Sequence, residues 1–256
     1  MAVPALNAEE YQYLDAGVKL NGDSALPFVD INSIDGLDAP PVRLSTSTRE
    51  GYHGTVNDAE FEDGRTITIE GSAFASPTAL ETYLDQLKAN FAPTKVPQPF
   101  YFGTDAGVRM VLAKSLGLRY AKEQRRRVGI VDFQVQLPSD DPRIYTPAVV
   151  TQNLPGTLTL GGNRETTGTI TINGSRTDPT ITIGGKTIAY SGTIVGGSSV
   201  VIDLDNHTVI LDGTQNVRGN VTITGGWPVL QPGDNVFTVG GSGTGTIQVA
   251  ARSAWR

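Results

Sequence analysis

Few side chains in this chain have the type and spacing that chemistry requires. The two histidines, His53 and His207, stand alone: neither has a second histidine three or four residues away, and cysteine is absent. A zinc site or a nucleophilic triad needs several converging ligands, so both histidines read as surface positions. Two aspartate pairs, Asp140-Asp141 and Asp203 with Asp205, could serve as paired carboxylates. Residues two apart on a strand share a face, so Asp203 and Asp205 could hold calcium or flank a glycosidic bond. With Asn206 beside them, turn formation is the better reading. Arg125-Arg126-Arg127, with Lys122 upstream, is the densest positive cluster; it could hold phosphate, but a solvated hairpin turn or a donor to a neighbouring subunit's carboxylates is the better reading. Trp227 and Trp255 have the faces on which sugars stack, but tryptophans more often pack between strands. The chain has no Walker loop, no G-x-S-x-G and no dinucleotide fingerprint, so catalysis and cofactor binding are not expected.

Composition narrows the class further. The chain has 256 residues, 38% hydrophobic and 18% charged, enough to fold with one large or two ordinary domains. A net charge of −6 argues against general nucleic-acid binding, because phosphate contacts need a basic surface. Without cysteine, stability must come from burial, strand ladders or assembly. The start, MAVPALNAEEYQYLDAG, lacks the basic and apolar segments of a signal peptide. No stretch approaches the ~18 apolar residues that would span a membrane. The expected place is the cytoplasm or a particle assembled there.

The elements that must position these residues change character near Pro138–Pro147. Residues 1–145 hold 14 Lys+Arg against 20 Asp+Glu, whereas residues 146–256 hold 6 of each and 19 of the 30 glycines. This places one domain at 1–145 and another at 146–256. The first centres on 61–91. Asp63-Gly64 marks a turn, Arg65–Glu70 alternates as a strand, and Gly71 ends it. Ser76 suits a helix cap and Pro77 the first helical position. Leu80, Leu84, Leu87 and Phe91 form one helical stripe. Glu9–Leu14 is read as a helical turn, and Ser45–Asn57, with Gly51 and Gly54, as a loop or a long hairpin supported by a neighbour. Strands are expected at Phe100–Phe102, Val108–Ala113, Leu116–Tyr120 and Val131–Leu137. The first domain is thus α+β, antiparallel strands with one helix. The second domain shows nine short runs of Thr alternating with Ile, Leu or Val between Thr157 and Ala250, parted by Gly-Gly, Asp-Asn and Asp-Gly turns. That pattern describes a β-sandwich of jelly-roll type, so the chain as a whole is mainly β.

Three stretches carry a resemblance: IDGLDAPPVR at Ile34–Arg43, GRTITIEG at Gly64–Gly71 with a helix ending LDQLKANF, and GWPVLQPGDNVFTVGGSGTGTIQVAARSAWR at the C-terminus. Val200–Gly213, VVIDLDNHTVILDG, resembles the hairpin before that last run. In this order they resemble the distal tail proteins (Dit) of long-tailed, non-contractile bacteriophages, the siphophages. The resemblance implies a structural virion protein at the tail tip, not an enzyme. Its N-terminal domain would form a homohexameric ring joining the tail tube protein to the baseplate hub, also called the tail-associated protein. The C-terminal domain would be a galectin-like or carbohydrate-module-like sandwich. The C-terminus of the tape-measure protein and receptor-binding proteins are further partners it implies, with a role in host attachment.

The ring reading assigns assembly contacts to Arg43, Arg49, His53, Arg65, Glu70, Arg125, Arg126 and Arg127. Stable DNA binding is not expected, because a lumen that conducts DNA should repel it. The competing reading is a carbohydrate-binding adhesin, with Trp227 and Trp255 touching cell-wall saccharides. A polysaccharide-degrading enzyme ranks last.

Overall fold

The computed structural model describes residues 3–49, 53 and 55–256. The chain divides into two compact units, Met1–Pro147 with Arg256, and Ala148–Trp255. Among the described residues, no helix is long and apolar enough to cross a membrane.

In the first unit, β1 (Tyr11–Tyr13), β2 (Lys19–Leu20), β3 (Phe28–Asp35), β4 (Val42–Thr48), β5 (Thr55–Glu62) and β6 (Arg65–Phe74) precede α1 (Leu80–Asn90). Then come β7 (Gln98–Thr104), β8 (Gly107–Ala113), β9 (Leu118–Tyr120), a 3₁₀ turn at Gln124–Val128, β10 (Ile130–Ser139) and β11 (Ile144–Tyr145). A central antiparallel sheet runs β3-β6-β10-β9, and a second runs β2-β1-β7-β8-β11. β4 and β5 pair only with each other.

The central sheet follows from its alternation. In β6 and β10 the residues Ile67, Ile69, Val131, Phe133, Val135 and Leu137 are buried, while Glu70 on the other face is exposed. β6 does not stop at Gly71, as the sequence suggested. It runs on to Phe74 in unbroken register with β10, and Gly71 is paired with Phe133. A Cβ at Gly71 would stand 2.6 Å from the Asp30 carbonyl oxygen and 3.0 Å from the Phe133 ring. The glycine therefore admits a neighbour's ring and does not end the strand.

Two other local readings change. Glu9–Leu14 is not a helical turn, because Glu9 and Leu14 have φ of 62° and 70°, which a right-handed helix excludes. Between them, Tyr11–Tyr13 pairs with β2 and β7. The Ser76 side chain does not cap α1: its hydroxyl lies 3.2 Å from that of Thr78. Its carbonyl instead accepts from the N–H groups of Ala79 and Leu80, so the chain already coils from Pro77 while the regular helix starts at Leu80. The helical stripe stands: Leu80, Leu84, Leu87 and Phe91 are all buried. The far end of α1 is held by Asn90, whose side-chain oxygen accepts from the Val18 N–H at 3.0 Å, and by stacking of Phe91 on Tyr13 at 5.6 Å.

The second unit holds β12 (Val150–Leu154), β13 (Gly156–Leu160), β14 (Gly168–Asn173), β15 (Arg176–Ile183), β16 (Lys186–Tyr190) and β17 (Thr193–Ile194). It continues with β18 (Ser199–Asp203), β19 (Thr208–Leu211), β20 (Gln215–Asn216), β21 (Val221–Thr224), β22 (Gly233–Gly243) and β23 (Thr246–Ala251). One sheet runs β12-β23-β14-β18-β19-β20; the other runs β13-β22-β15-β16-β21, with β17 beside β15. Ile170, Ile172, Val200, Ile202 and Val249 of the first sheet form one buried cluster with Leu158, Ile181, Ile188 and Phe237 of the second. Facing apolar sides of two antiparallel sheets make a β-sandwich, and the mainly β fold class stands. The outward threonines pair across strands, as Thr182 does with Thr187 at 2.9 Å. Alternation did not reveal β12, whose sequence VTQNL is largely exposed and pairs with β23 along one edge.

Candidate assembly surfaces

The β4–β5 ribbon is the least self-sufficient part of the first unit. It rises from the end of the central sheet where β3 finishes and β6 begins. The stretch between Asp35 and Val42 is stiffened by Pro40-Pro41, and the Asp63 N–H donates to the Pro41 carbonyl at 2.9 Å. Val42, Leu44 and Phe61 are 45%, 52% and 53% exposed. Arg43 pairs with Phe61, its guanidinium 5.8 Å from the ring centroid, so both lie on one face; Val42 and Leu44 take the other. A two-stranded ribbon with apolar side chains open on both faces has no layer to stand on, and such hairpins are marginal alone in water. Arg49 and His53 are exposed beyond the strand ends. Gly51 and Gly54, part of the expected loop, lie outside the described residues.

The other expected contact residues separate into committed and open ones. Arg65 is 2% exposed. Its guanidinium donates to the carbonyls of Gly36 at 3.3 Å, Asp38 at 3.1 Å and Pro142 at 2.9 Å. Burial pushes its pKa down, opposed by the charges of Asp38, Glu62 and Asp141. This arginine ties the root of the ribbon to the end of the first unit and is not free for another subunit, contrary to the sequence reading. Glu70 is exposed on the outer face of the central sheet and accepts from Gln134 at 3.0 Å. It borders an open hollow of about 510 Å³ lined also by Asn32, Arg119, Asp132 and Gln134.

The arginine run is a 3₁₀ turn in the hairpin connection between the antiparallel strands β9 and β10, closed by Gly129 at φ 83°. Gly129 is obligatory, since a Cβ there would strike the Ala75 carbonyl oxygen. Arg125 pairs with Asp132 at 2.6 Å, and Arg126 pairs with Glu81 of α1. Arg127 points its charge outward and has no carboxylate partner among the described residues.

In the second unit the Asp203 carboxylate is filled by its own turn. Oδ1 accepts from the N–H groups of Asp205 and Asn206 at 2.8 and 2.9 Å, and Oδ2 from the Asn206 amide at 2.9 Å. Burial raises the pKa of Asp203, but those hydrogen bonds and the His207 charge bring it below the usual carboxylate value. Asp205 accepts from Thr167 at 2.8 Å. The pair therefore builds a turn, and its oxygens are occupied. Trp227 packs against the core, with the His207 ring stacked on it at 4.5 Å and the Arg218 guanidinium 5.0 Å from its centroid. A sugar would have to displace these neighbours. That cluster unites three residues spaced eleven and nine positions apart, and no helix or strand period announces it. Trp255 is half-buried and lies against Gly161.

Comparison with known proteins agrees with this architecture. Residues 161–255 match the family described as siphovirus-type tail component, C-terminal domain. No curated protein matches the sequence. Among solved structures, the Dit protein of phage SPP1 is similar over 89% of this chain and 94% of its own. Its TM-score is 0.68 at 14% identity, and it is described as a paradigm of the hub adsorption apparatus in phages infecting Gram-positive bacteria. The phage P2 baseplate in its activated conformation with Ca holds a chain similar over 94% of this one and 97% of its own, with a TM-score of 0.51 at 9% identity. Residues 161–255 thus match the siphovirus-type tail component family, and the likeness to the SPP1 Dit protein extends a shared fold over nearly the whole chain.

Proposed function

We propose that this protein forms a homohexameric ring at the distal end of the tail, joining the tail tube to the baseplate hub. The observation that carries the reading is the β4–β5 ribbon, which exposes about half of Val42, Leu44 and Phe61 on two opposite faces and rests on no sheet of its own unit. Such a ribbon is completed by a neighbour. Copies that meet through two different surfaces close into a ring when the rotation allows. Residues 1–147 are the ring-forming part, and the sandwich is a module carried by it. Its occupied carboxylates and covered tryptophan suit a mount for other tail-tip proteins. Nothing in this reading requires catalysis, and the protein acts within the virion.

The test is mass and position. Six copies of the 27.1 kDa chain would weigh about 163 kDa by sedimentation or light scattering. Antibody labelling of virions should decorate a collar beneath the tail tube. A chain that stays monomeric at every attainable concentration, or labels elsewhere on the particle, defeats the proposal.

A further inference from the structure

The second sheet of the sandwich has a gap beside β22. On one side, Gly233–Phe237 of β22 pair with β13. On the other, β15 stops at Ile183, opposite Phe237, and turns back through Gly184-Gly185 into β16. Gly233–Val236 therefore have a strand neighbour on one side only. The gap is a hollow of about 400 Å³, walled also by the segment that runs from Pro228 to Gln231. A Cβ at Gly184 would meet nothing within 4 Å, so the hairpin tip leaves the hollow open.

Its lining is mixed. Val229 and Val236, 37% and 61% exposed, give it apolar surface together with Pro228. Lys186, Gln231 and Asp234 bring an ammonium, an amide and a carboxylate to the same space. Lys186 donates to the Trp227 carbonyl at 2.9 Å, and Asp234 accepts from the Thr159 hydroxyl at 2.6 Å. An ammonium has three donors and a carboxylate about four acceptor positions, so both keep capacity for a ligand. The buried Asn235 braces this wall. Its side chain accepts from the Gln231 N–H at 2.9 Å and donates to the carbonyls of Gln231 and Gly233 at 2.8 and 3.1 Å. The turn that carries Gln231 and Asp234 is thus set before any ligand arrives, which lowers the cost of binding. Alternate residues of an antiparallel strand aim their N–H and C=O to the same side, so part of the 233–236 main chain also faces the hollow.

We propose that this hollow binds a neutral, hydroxyl-rich ligand, a sugar residue of a glycan. Small-molecule sites of about 300–1,000 Å³ combine apolar walls with a few placed polar groups, and this one has both. Opposite charges in one hollow disfavour a ligand of either sign: an anion drawn to Lys186 meets Asp234, and a cation drawn to Asp234 meets Lys186. A hydroxyl both donates and accepts, so one sugar ring can serve Asp234, Lys186 and Gln231 while its C–H bonds lie on the valines. The site is distinct from the Trp227 face, which His207 and Arg218 cover. It goes beyond the ring reading and does not depend on it.

The full chain is screened on an array of neutral, anionic and amino-bearing oligosaccharides. The strongest neutral binder is then titrated by calorimetry, beside glycine as a zwitterion of matching charges. Neutral oligosaccharides should bind best. Asp234→Leu should weaken that binding about tenfold or more, the usual effect of losing a hydrogen bond to a charged group. Asp234→Asn, which keeps an acceptor, should retain most of it. Val236→Trp, at a side chain already open to solvent, should fill the hollow and abolish it. Circular dichroism and thermal unfolding check that each variant is folded. An array without a neutral binder overturns the site. So does tighter binding of charged sugars or of glycine, or a neutral binder indifferent to Asp234→Leu and Val236→Trp. None of these results bears on the ring, which is tested by mass.

Discussion

Replacing Leu44 and Phe61 by serine tests whether the ribbon is an interface. Each side chain is about half exposed in the single copy. Fully burying a Leu or Phe contributes ~1.5–3 kcal/mol, so covering the open half should contribute about 1 kcal/mol for each. The double variant should therefore lose about 2 kcal/mol at every subunit contact, roughly a thirtyfold weaker contact. The fold of the single copy should hardly notice, because β4 and β5 join no other strand and the ribbon's tie to the rest of the unit, the Glu62–Arg256 ion pair, does not involve Leu44 or Phe61. Two measurements separate these effects. Sedimentation over a concentration series reads the contact, and thermal unfolding of the dissociated chain reads the fold. Rings that persist in the variant at the wild-type concentration would refute the argument. So would a fall in melting temperature of several degrees, since the same side chains would then be supporting their own unit.

Three further outcomes follow from the packing of the first unit. Arg65→Ala takes a buried guanidinium and its hydrogen bonds from three carbonyls and should destabilise the unit by about 1–3 kcal/mol, read as a lower urea midpoint with unchanged slope. Gly71→Ala drives a Cβ into the Asp30 carbonyl and the Phe133 ring and should cost about 1–3 kcal/mol by the same measurement; a neutral result would show that Phe133 does not lie across this position. Glu10, 6% exposed, has its pKa lowered to about 2, first by the hydrogen bond from Lys19 at 2.8 Å and then by those from Asn7. Its folded pKa lies below the unfolded one, so its stabilisation is complete above pH 4.5 and is lost as pH falls toward 2. With Lys19 partly solvated, that loss should be about 1–2 kcal/mol. Glu10→Gln should be less stable at neutral pH and flatter between pH 5 and 2; a parallel pH profile would remove Glu10 from the account.

What was legible in the sequence was what local pattern encodes. Strict alternation in Val131–Leu137 and the i, i+4, i+7 stripe of Leu80, Leu84 and Leu87 reflect one buried side per element, and burial leaves a periodic trace. Threonine alternating with Ile, Leu or Val did the same for the sandwich strands. Gly71 misled because a glycine that makes room for Phe133 looks, in one dimension, like a glycine that stops a strand. Glu9–Leu14 misled because its shape is set by two positive-φ residues and by pairing with β2 and β7.

The sequence by itself determined the elements and their faces, because hydrophobic periodicity is a property of neighbours along the chain. Only the tertiary structure decided the fate of the charged residues. Arg65 is held by carbonyls 27 to 77 residues away, Arg126 is paired to a helix residue, and Arg127 is left open. The six arginines of the expected contact set look alike in one dimension. What separates them is which oxygen atoms the fold brings within reach, and that depends on pairing across long stretches of chain that no local rule records.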